Sequence, residues 1–292
     1  DRSPSRGLGD VYKRQIIYRI NTTDNTNAAI GTITDVSSPI FEFNSSLSLL
    51  QSTINTTKAS LEVINEETFV GDIPFPDSEE IKKRAFGAYS MQNRIVTKED
   101  FITAAYAMPA KFGAIKKVNA AQDNDSFNQR NINLYVLSED SVGNLALANS
   151  TIKNNLKTWL SRYKMINDSI DILNADIINL KIVFKVAAFA NVNKFSVIDE
   201  AKNDLQTYFN NRKKYEIGEP FRISDVFAVL KNSPSVLDVL EVDIVVASGA
   251  SYASSNFDVD KAKGKDGRLL HSPENSCFEV KFPNSDIIGT VV

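Results

Sequence analysis

The sequence predicts an α+β protein with duplicated α/β modules and mixed or antiparallel sheets, plus a small β-rich N-terminal region and a C-terminal strand segment. Three observations support this fold class. A short amphipathic helix and a proline, within residues 94–109 and again within 222–234, are each followed by a strand. Alternating apolar runs predict strands between longer amphipathic helices. The 292 residues, 42% hydrophobic and 24% charged, are enough for a sizeable buried core.

The first 75 residues divide into two parts. Residues 1–15 include "RSPSRGLGDVYKRQ", which resembles translated adapter sequence from metagenomic assemblies, so we expect an assembly artefact and a natural protein that is longer at its N-terminus. Residues 16–75 are rich in Thr, Asn and Ser. Branched and aromatic residues between turn-forming residues predict short strands in this part, at 16–20, 40–43 and 61–64.

Residues 76–190 form the first predicted α/β module, which opens with a helix up to about residue 91. In the next helix Thr97 is a good N-cap, Asp100 lies three residues on, and Pro109 ends the helix. Its apolar residues form a single stripe at helical spacing: Phe101, Ala104, Ala105 and Met108.

Two strands, a helix and a third strand complete this module. Residues 114–120 are extended, and residues 131–138 alternate. The helix at 149–164 has an apolar stripe of Ile152, Leu156, Trp159, Leu160 and Tyr163. The long strand at 177–189 has one apolar face, which consists of Ile178, Leu180, Ile182, Phe184 and Val186.

Residues 191–248 form the second predicted module. A helix at 196–210 precedes the second copy of the repeated phrase, in which Ser224 is the expected cap and Pro234 the stop. The stripe of this shorter helix is Ile223, Val226, Phe227 and Leu230, and in the following strand we expect Leu240, Val242, Ile244 and Val246 to face inward. The core residues that we single out in both modules are Phe101, Met108, Trp159, Leu160, Phe227 and Leu230.

Residues 249–292 lie outside the repeat and contain the alternating run "CFEVKFP". Phe278, Val280 and Phe282 share one side of this predicted strand. The strand either closes a sheet within its own chain or adds to the edge of a neighbouring subunit's sheet. In the second case Phe278, Val280 and Phe282 form the contact with the neighbouring subunit, which makes them the candidate interface residues.

The composition favours no catalytic, metal-binding or nucleic-acid function. The net charge of −3 and a pI near 5.4 give no basic face for nucleic acid or anionic lipid. The longest apolar run is too short and too charged to span a membrane. The single His271 and the single Cys277 are too few for a zinc site, and "DNDSFNQ" lacks the glycine of a calcium loop. We therefore predict no catalytic residues, no metal and no cofactor.

Taken together, the phrases resemble a known family. "FPDSEEIKKRAFGAYSMQNRIVTKEDFITAAYAMP" and the strand after it resemble the central region of baseplate J-like proteins, and "EIGEPFRISDVFAVLKNSPSVLDVLEVDI" resembles the closing module of that family. The ending "FEVKFPNSDIIGTVV" is similar to T-even-type baseplate wedge proteins of contractile-tailed bacteriophages. The residues that match are Arg84, Ala85, Arg94, Val96, Thr97, Asp100, Phe101, Pro109, Ile115 and Val118, and then Gly218, Ser224, Val226, Pro234, Val236 and Val239.

The resemblance implies a structural virion protein without enzymatic activity, made in the cytoplasm of the host bacterium. It implies an inner baseplate ring in which the protein forms homodimers and docks other wedge proteins, including a small lysozyme-like one. The largely helical N-terminal half of the family has no counterpart in this sequence. Two alternatives stay open, a tail-associated adhesin and a glycan hydrolase, and the sequence does not separate a phage from a tailocin or a type VI secretion baseplate.

Overall fold

The computed structural model describes residues 17, 19–20, 27–43, 49–72, 76, 78–123, 130–140, 142–190, 192–211 and 215–292. The helices in these residues are α1 (Gln51–Ala59), α2 (Ser78–Met91), α3 (Lys98–Tyr106), α4 (Ser150–Leu160), α5 (Lys194–Asn211), α6 (Ile223–Asn232), α7 (Val259–Ala262) and α8 (Pro283–Asp286). The strands are β1 (Lys117–Gln122), β2 (Asn131–Glu139), β3 (Leu145–Ala146), β4 (Ser169–Asn174), β5 (Asp176–Ala188), β6 (Phe221–Arg222), β7 (Val236–Val246), β8 (Leu269–Leu270), β9 (Ser276–Glu279) and β10 (Ile287–Val291). The α+β class with several mixed sheets is confirmed.

The first sheet is built around β2. Strand β1 pairs antiparallel with β2, and β4 pairs parallel with the same stretch of β2, so β1 and β4 must lie on opposite sides of it. The short β3 extends the far end of β2. Helices α3 and α4 contribute their apolar stripes to the core of this half, in which Leu134, Leu156 and Leu160 are fully buried.

The second sheet is built around β5 in a similar way. Strand β7 pairs antiparallel with β5, while β9 and β10 pair parallel with successive parts of it. The predicted apolar face of β5 is entirely buried and packs in one core with α5 and α6. This sheet joins strands from residues 76–190, 191–248 and 249–292, the three predicted segments.

The repeated phrase occupies corresponding places in the two sheets. In each copy a short helix ends just before a proline (Pro109 or Pro234), and the strand that follows pairs antiparallel with the long central strand. The copies start differently, however. Helix α6 begins at Ile223 after Arg222, with no side-chain cap, so the expectation that Ser224 caps it is wrong.

Strand β7 departs from simple alternation. The pairing of β7 with β5 shifts by one residue at two points. Leu240 and Leu237 are the extra residues of β7 at these points, and both side chains are exposed. Val242 and Ile244 are buried as expected, and Val246 is half-buried. Leu240 does not face inward because a β-bulge interrupts the two-residue periodicity on which the prediction relied.

The β-rich character expected for residues 16–75 is not found in their described part. That part contains helix α1 and a single bridge between Ala28 and Phe69, and residues 40–43 and 61–64 form no strand. The expected strand at 16–20 and the expected artefact at 1–15 lie wholly or partly outside the described residues. No helix among the described residues has the length and apolar character needed to cross a bilayer.

The capping box at the start of α3 is confirmed and gives a testable prediction. The Thr97 hydroxyl accepts the Asp100 N–H at 3.3 Å, and the Asp100 carboxylate accepts the Thr97 N–H at 2.9 Å. Thr97→Ala is expected to lower the free energy of unfolding by about 1 kcal/mol in urea titrations at neutral pH, because it removes the acceptor for one helix-end N–H. An unchanged urea midpoint would contradict a stabilising cap.

The same box should make stability depend on acid pH. Partial burial would raise the pKa of Asp100, but the hydrogen bonds from Thr97 and Val96 outweigh it and hold the pKa below the ordinary 3.8. A carboxylate with a lowered folded-state pKa stabilises the fold above its unfolded pKa, and this contribution is lost as pH falls through the folded value. The stability difference between wild type and Asp100→Asn should therefore shrink below pH 3.8.

Candidate docking surface

The C-terminal strand that the sequence offers as an interface lies largely inside the protein. Strand β9 pairs with β5 in its own chain, with Phe278 opposite Ile178. Phe278 is fully buried, with its ring centroid 6.4 Å from that of Phe221 and 5.4 Å from that of Phe257. The strand therefore closes a sheet locally, and Phe278 is corrected from an interface residue to a core residue.

The other two candidate interface residues lie nearer the surface. Val280 is half-buried against the same core. Phe282 is 38% exposed, and its ring stands edge-on to Tyr252 with centroids 5.7 Å apart. Of the three predicted interface residues, Phe282 alone is exposed enough to meet a partner with much of its ring.

Most of the predicted core residues are buried. Phe101, Met108, Leu160 and Leu230 are buried, and Trp159 is half-buried with its Nε1 donating to the Ala104 carbonyl at 2.9 Å. Phe227 is the exception, since 37% of its surface is exposed. Helix α6 buries Ile223, Val226 and Leu230 instead, so Phe227 lies at the edge of the buried stripe.

The single cysteine and the single histidine occupy different environments. Cys277 is fully buried, and its thiol donates to the Tyr215 carbonyl at 2.8 Å. Burial raises the pKa of Cys277 to about 12, so the thiol stays protonated at neutral pH and is a poor nucleophile. His271 is exposed.

Charged residues join the two halves of the protein beneath α2. Lys116 is buried, and its Nζ lies 3.3 Å from Glu139 and 3.6 Å from Glu80 of α2. The neighbouring Lys117 is also buried, with its Nζ 3.2 Å from Glu216, just before β6. These ion pairs link α2, the first sheet and the second half through groups that are partly shielded from water.

Tyr106, at the end of α3, lies at the same junction. The Arg84 guanidinium lies over its ring, 4.7 Å from the centroid, and its hydroxyl accepts the Val118 N–H at 3.3 Å. Burial raises the pKa of Tyr106, and the charge of Glu216 raises it further, so the hydroxyl is neutral at physiological pH. This arrangement holds α2 and α3 against β1.

Helix α2 therefore turns a polar face toward the protein. Glu80 and Arg84 lie on this inner face, and Gly87 packs against Thr103 of α3. A Cβ on Gly87 would lie 2.4 Å from Thr103 Oγ1, so only glycine permits this close approach of the two helices. Apart from Met91, which is buried in the core at the C-terminal end of α2, this contact uses ion pairs and a glycine where a typical surface helix uses an apolar stripe.

The apolar side chains of α2 point to solvent instead. We call them the α2 patch, which consists of Ile81, Ala85, Phe86, Ala88 and Tyr89. Ile81 is 52% exposed, Phe86 77% and Tyr89 85%, and both alanines are exposed. An outward apolar face on a helix with a polar inner face is typical of a surface that another protein covers.

A cavity of about 190 Å³ opens beside the patch, between α2 and α3. Phe86 and Ser90 line it on the α2 side, while Ile102, Thr103 and Tyr106 line it on the α3 side. Charged residues of both signs complete its walls, among them Lys83 and Glu99. The patch and the cavity together are the candidate docking surface.

Sequence reasoning did not single out the α2 patch. The signal was present, because Ile81, Ala85 and Ala88 recur at helical spacing and Phe86 and Tyr89 lie on adjacent rows. The same spacing is equally typical of a face that packs on the core. The contacts of Glu80 with Lys116, of Arg84 with Tyr106 and of Gly87 with Thr103 show that the opposite face is the inner one.

Comparison with known proteins adds little at the level of sequence. No protein-family profile matches the chain, and no curated protein matches it either. Several solved structures share part of its fold. One is a chain of "the anti-feeding prophage (AFP) baseplate, 6-fold symmetrised", solved by cryo-EM, with 12% sequence identity and a TM-score of 0.42. The match covers 74% of this chain and 44% of that chain.

Proposed function

We propose that this protein is a structural subunit of a contractile-tail baseplate, where it pairs with copies of itself and docks other wedge proteins. The observation that carries the proposal is the α2 patch, an apolar face directed away from the core. The baseplate assignment is supported by the order of the two phrases that resemble baseplate J-like proteins. The structural likeness, at a TM-score of 0.42, is too low to support it.

The geometry supports a mechanical role for the fold. The buried Lys116 pairs with Glu80 of α2 and with Glu139 of the first sheet, and the buried Lys117 of β1 pairs with Glu216 of the second half, so the patch is presented on a rigid support. A rigid, preorganised surface loses less conformational entropy on association than a mobile one. By the family resemblance, the partners are a second copy within an inner ring and other wedge proteins, including the small lysozyme-like one, and the site is the tail of the virion.

The carboxylates at the centre of the fold also favour a structural role over an enzymatic one. Glu139 is paired with Lys116, Glu279 accepts the Leu145 N–H, and Asp286 accepts the Phe282 N–H. Such groups hold strands and turns together. A glycan hydrolase instead needs two acids facing a substrate cleft at a separation of roughly 5–10 Å.

Immunogold electron microscopy tests the proposal. Antibodies raised against the purified chain are applied to contractile tail particles from cells that encode it, with antibody pre-absorbed on the same chain as the control. Label concentrated at the distal end of the sheath is the expected result. Label along the sheath or at the tips of tail fibres would contradict a baseplate subunit, and fibre-tip label would favour the adhesin. Tail particles without label would also contradict it.

A further inference from the structure

The α2 patch contains both a protruding ring and a cavity that fits one. Phe86 is 77% exposed and stands at the edge of the cavity between α2 and α3. The cavity volume is about 190 Å³. An apolar protein cavity of about 150 Å³ is known to hold benzene, so a phenylalanine ring is of suitable size for this one.

We propose that the α2 patch docks on the α2 patch of a second copy, with Phe86 of each copy entering the cavity of the other. A two-fold axis between two antiparallel α2 helices brings both rings to both cavities at once, because ring and cavity lie on one face. The second copy is the occupant that the surface itself specifies, since it supplies the ring. The inference deepens the proposed function and rests on the self-association included there.

The charges around the ring and the cavity are compatible with self-pairing. Lys82 and Lys83 precede Phe86 and are exposed, whereas Glu99 and Asp100 lie on the α3 wall of the cavity. When the ring of one copy enters the cavity of the other, we expect its Lys82 to approach that acidic wall, whereas Lys83 pairs with Glu216 of its own chain at 3.5 Å. A surface with a single sign of charge would repel its own copy, and this surface has both signs.

The area of the patch indicates a weak dimer. Phe86 and Tyr89 each leave roughly 100–200 Å² in water, so the whole patch is smaller than the roughly 800 Å² per partner of a standard interface. We therefore expect dissociation of the isolated dimer in the micromolar range. In a ring, further contacts between the same subunits would add to it.

Sedimentation equilibrium of the full chain tests the contact. Phe86→Asp is expected to raise the dimer dissociation constant at least about tenfold. Phe195→Asp is the matched control, because Phe195 is 79% exposed but lies on α5, away from the patch. It should leave the constant unchanged. Circular dichroism melts of both variants check that each remains folded.

A second variant tests the reciprocal arrangement. Ser90→Trp places a large side chain at the mouth of the cavity and should weaken association as Phe86→Asp does. The two variants are complementary, because Ser90→Trp keeps the ring, whereas Phe86→Asp leaves the mouth of its cavity open although it replaces one lining ring. An equimolar mixture should therefore form heterodimers through a single ring-in-cavity contact, although neither variant dimerises well alone.

Three results would overturn the inference. One is a wild-type chain that stays monomeric at about 100 μM, well above the micromolar dissociation expected for an interface of this size. Another is equal weakening by Phe86→Asp and Phe195→Asp. The third is a mixture of Phe86→Asp and Ser90→Trp that associates no better than either variant alone. The first would also contradict the self-pairing in the proposed function. None of them decides whether the protein belongs to the baseplate, which the immunogold experiment judges separately.

Discussion

Glu279→Ala is expected to lower the free energy of unfolding by about 3–5 kcal/mol. Glu279 is buried in β9, where Oε1 accepts the Leu145 N–H at 2.8 Å and Oε2 accepts the Asn179 Nδ2 at 3.1 Å. Asn179 in turn accepts the Ala253 N–H at 2.8 Å. Alanine removes the acceptor for two buried donors, and each unsatisfied donor costs about 1–3 kcal/mol. Guanidinium titration followed by Trp159 fluorescence measures the loss.

Two further variants make this prediction specific. Glu279→Gln keeps the shape and one acceptor oxygen, so it should destabilise the protein less than alanine does. Glu274→Ala removes an exposed carboxylate from the preceding turn and should change stability by less than about 0.5 kcal/mol. If Glu279→Ala behaves like Glu274→Ala, the bonds to Leu145 and Asn179 do not contribute measurably to stability.

Gly289→Val should be the second most damaging substitution, with a loss of about 3 kcal/mol, at the upper end of the range for overpacking. Gly289 of β10 lies directly opposite Phe184 of β5. A Cβ on it would lie 2.4, 2.7 and 3.0 Å from three atoms of the Phe184 ring. The ring is fully buried, so it cannot turn out toward solvent to make room. Thermal unfolding should show a melting temperature lower by roughly 6–12 °C.

The overlap with Phe184 can be tested by a double-mutant cycle. Phe184→Leu shortens the side chain opposite Gly289, so Gly289→Val should cost less in that background than in the wild type. Ile288→Val, on the neighbouring exposed position of β10, serves as the control for altering this strand. Equal effects of Gly289→Val in the two backgrounds would show that the Phe184 ring is not the obstacle.

Features of the fold that depend on neighbouring residues could be predicted from the sequence. The Thr97 cap and the stripe of α3 are examples, because a cap and its helix lie within one turn. The apolar face of β5 was equally predictable, because it is encoded in alternate residues. The opposite face, expected to be wet at Asn179, Lys181 and Lys185, is not wet throughout, since Asn179 is buried. These local signals were sufficient to identify the α+β class and the repeated helix, proline and strand.

Features that depend on a partner element could not be predicted in the same way. Alternation identified β9 as a strand but did not say that Phe278 packs on Phe221 within its own chain. The position of Leu240 depends on the register of β7 against β5. The α2 patch resembled a core face, because the spacing of apolar residues does not reveal which side of a helix meets the protein.

The two bulges of β7 have a consequence for how copies of this chain can grow into larger structures. Among the described strands β7 lies at the edge of its sheet, so its outward-facing backbone N–H and C=O groups could pair with a strand of another chain. Leu237 and Leu240 break the even spacing of those groups, and Glu241 and Asp243 add charge along them. An incoming strand finds no continuous ladder, which discourages open-ended, fibril-like stacking even when many subunits are crowded into one particle.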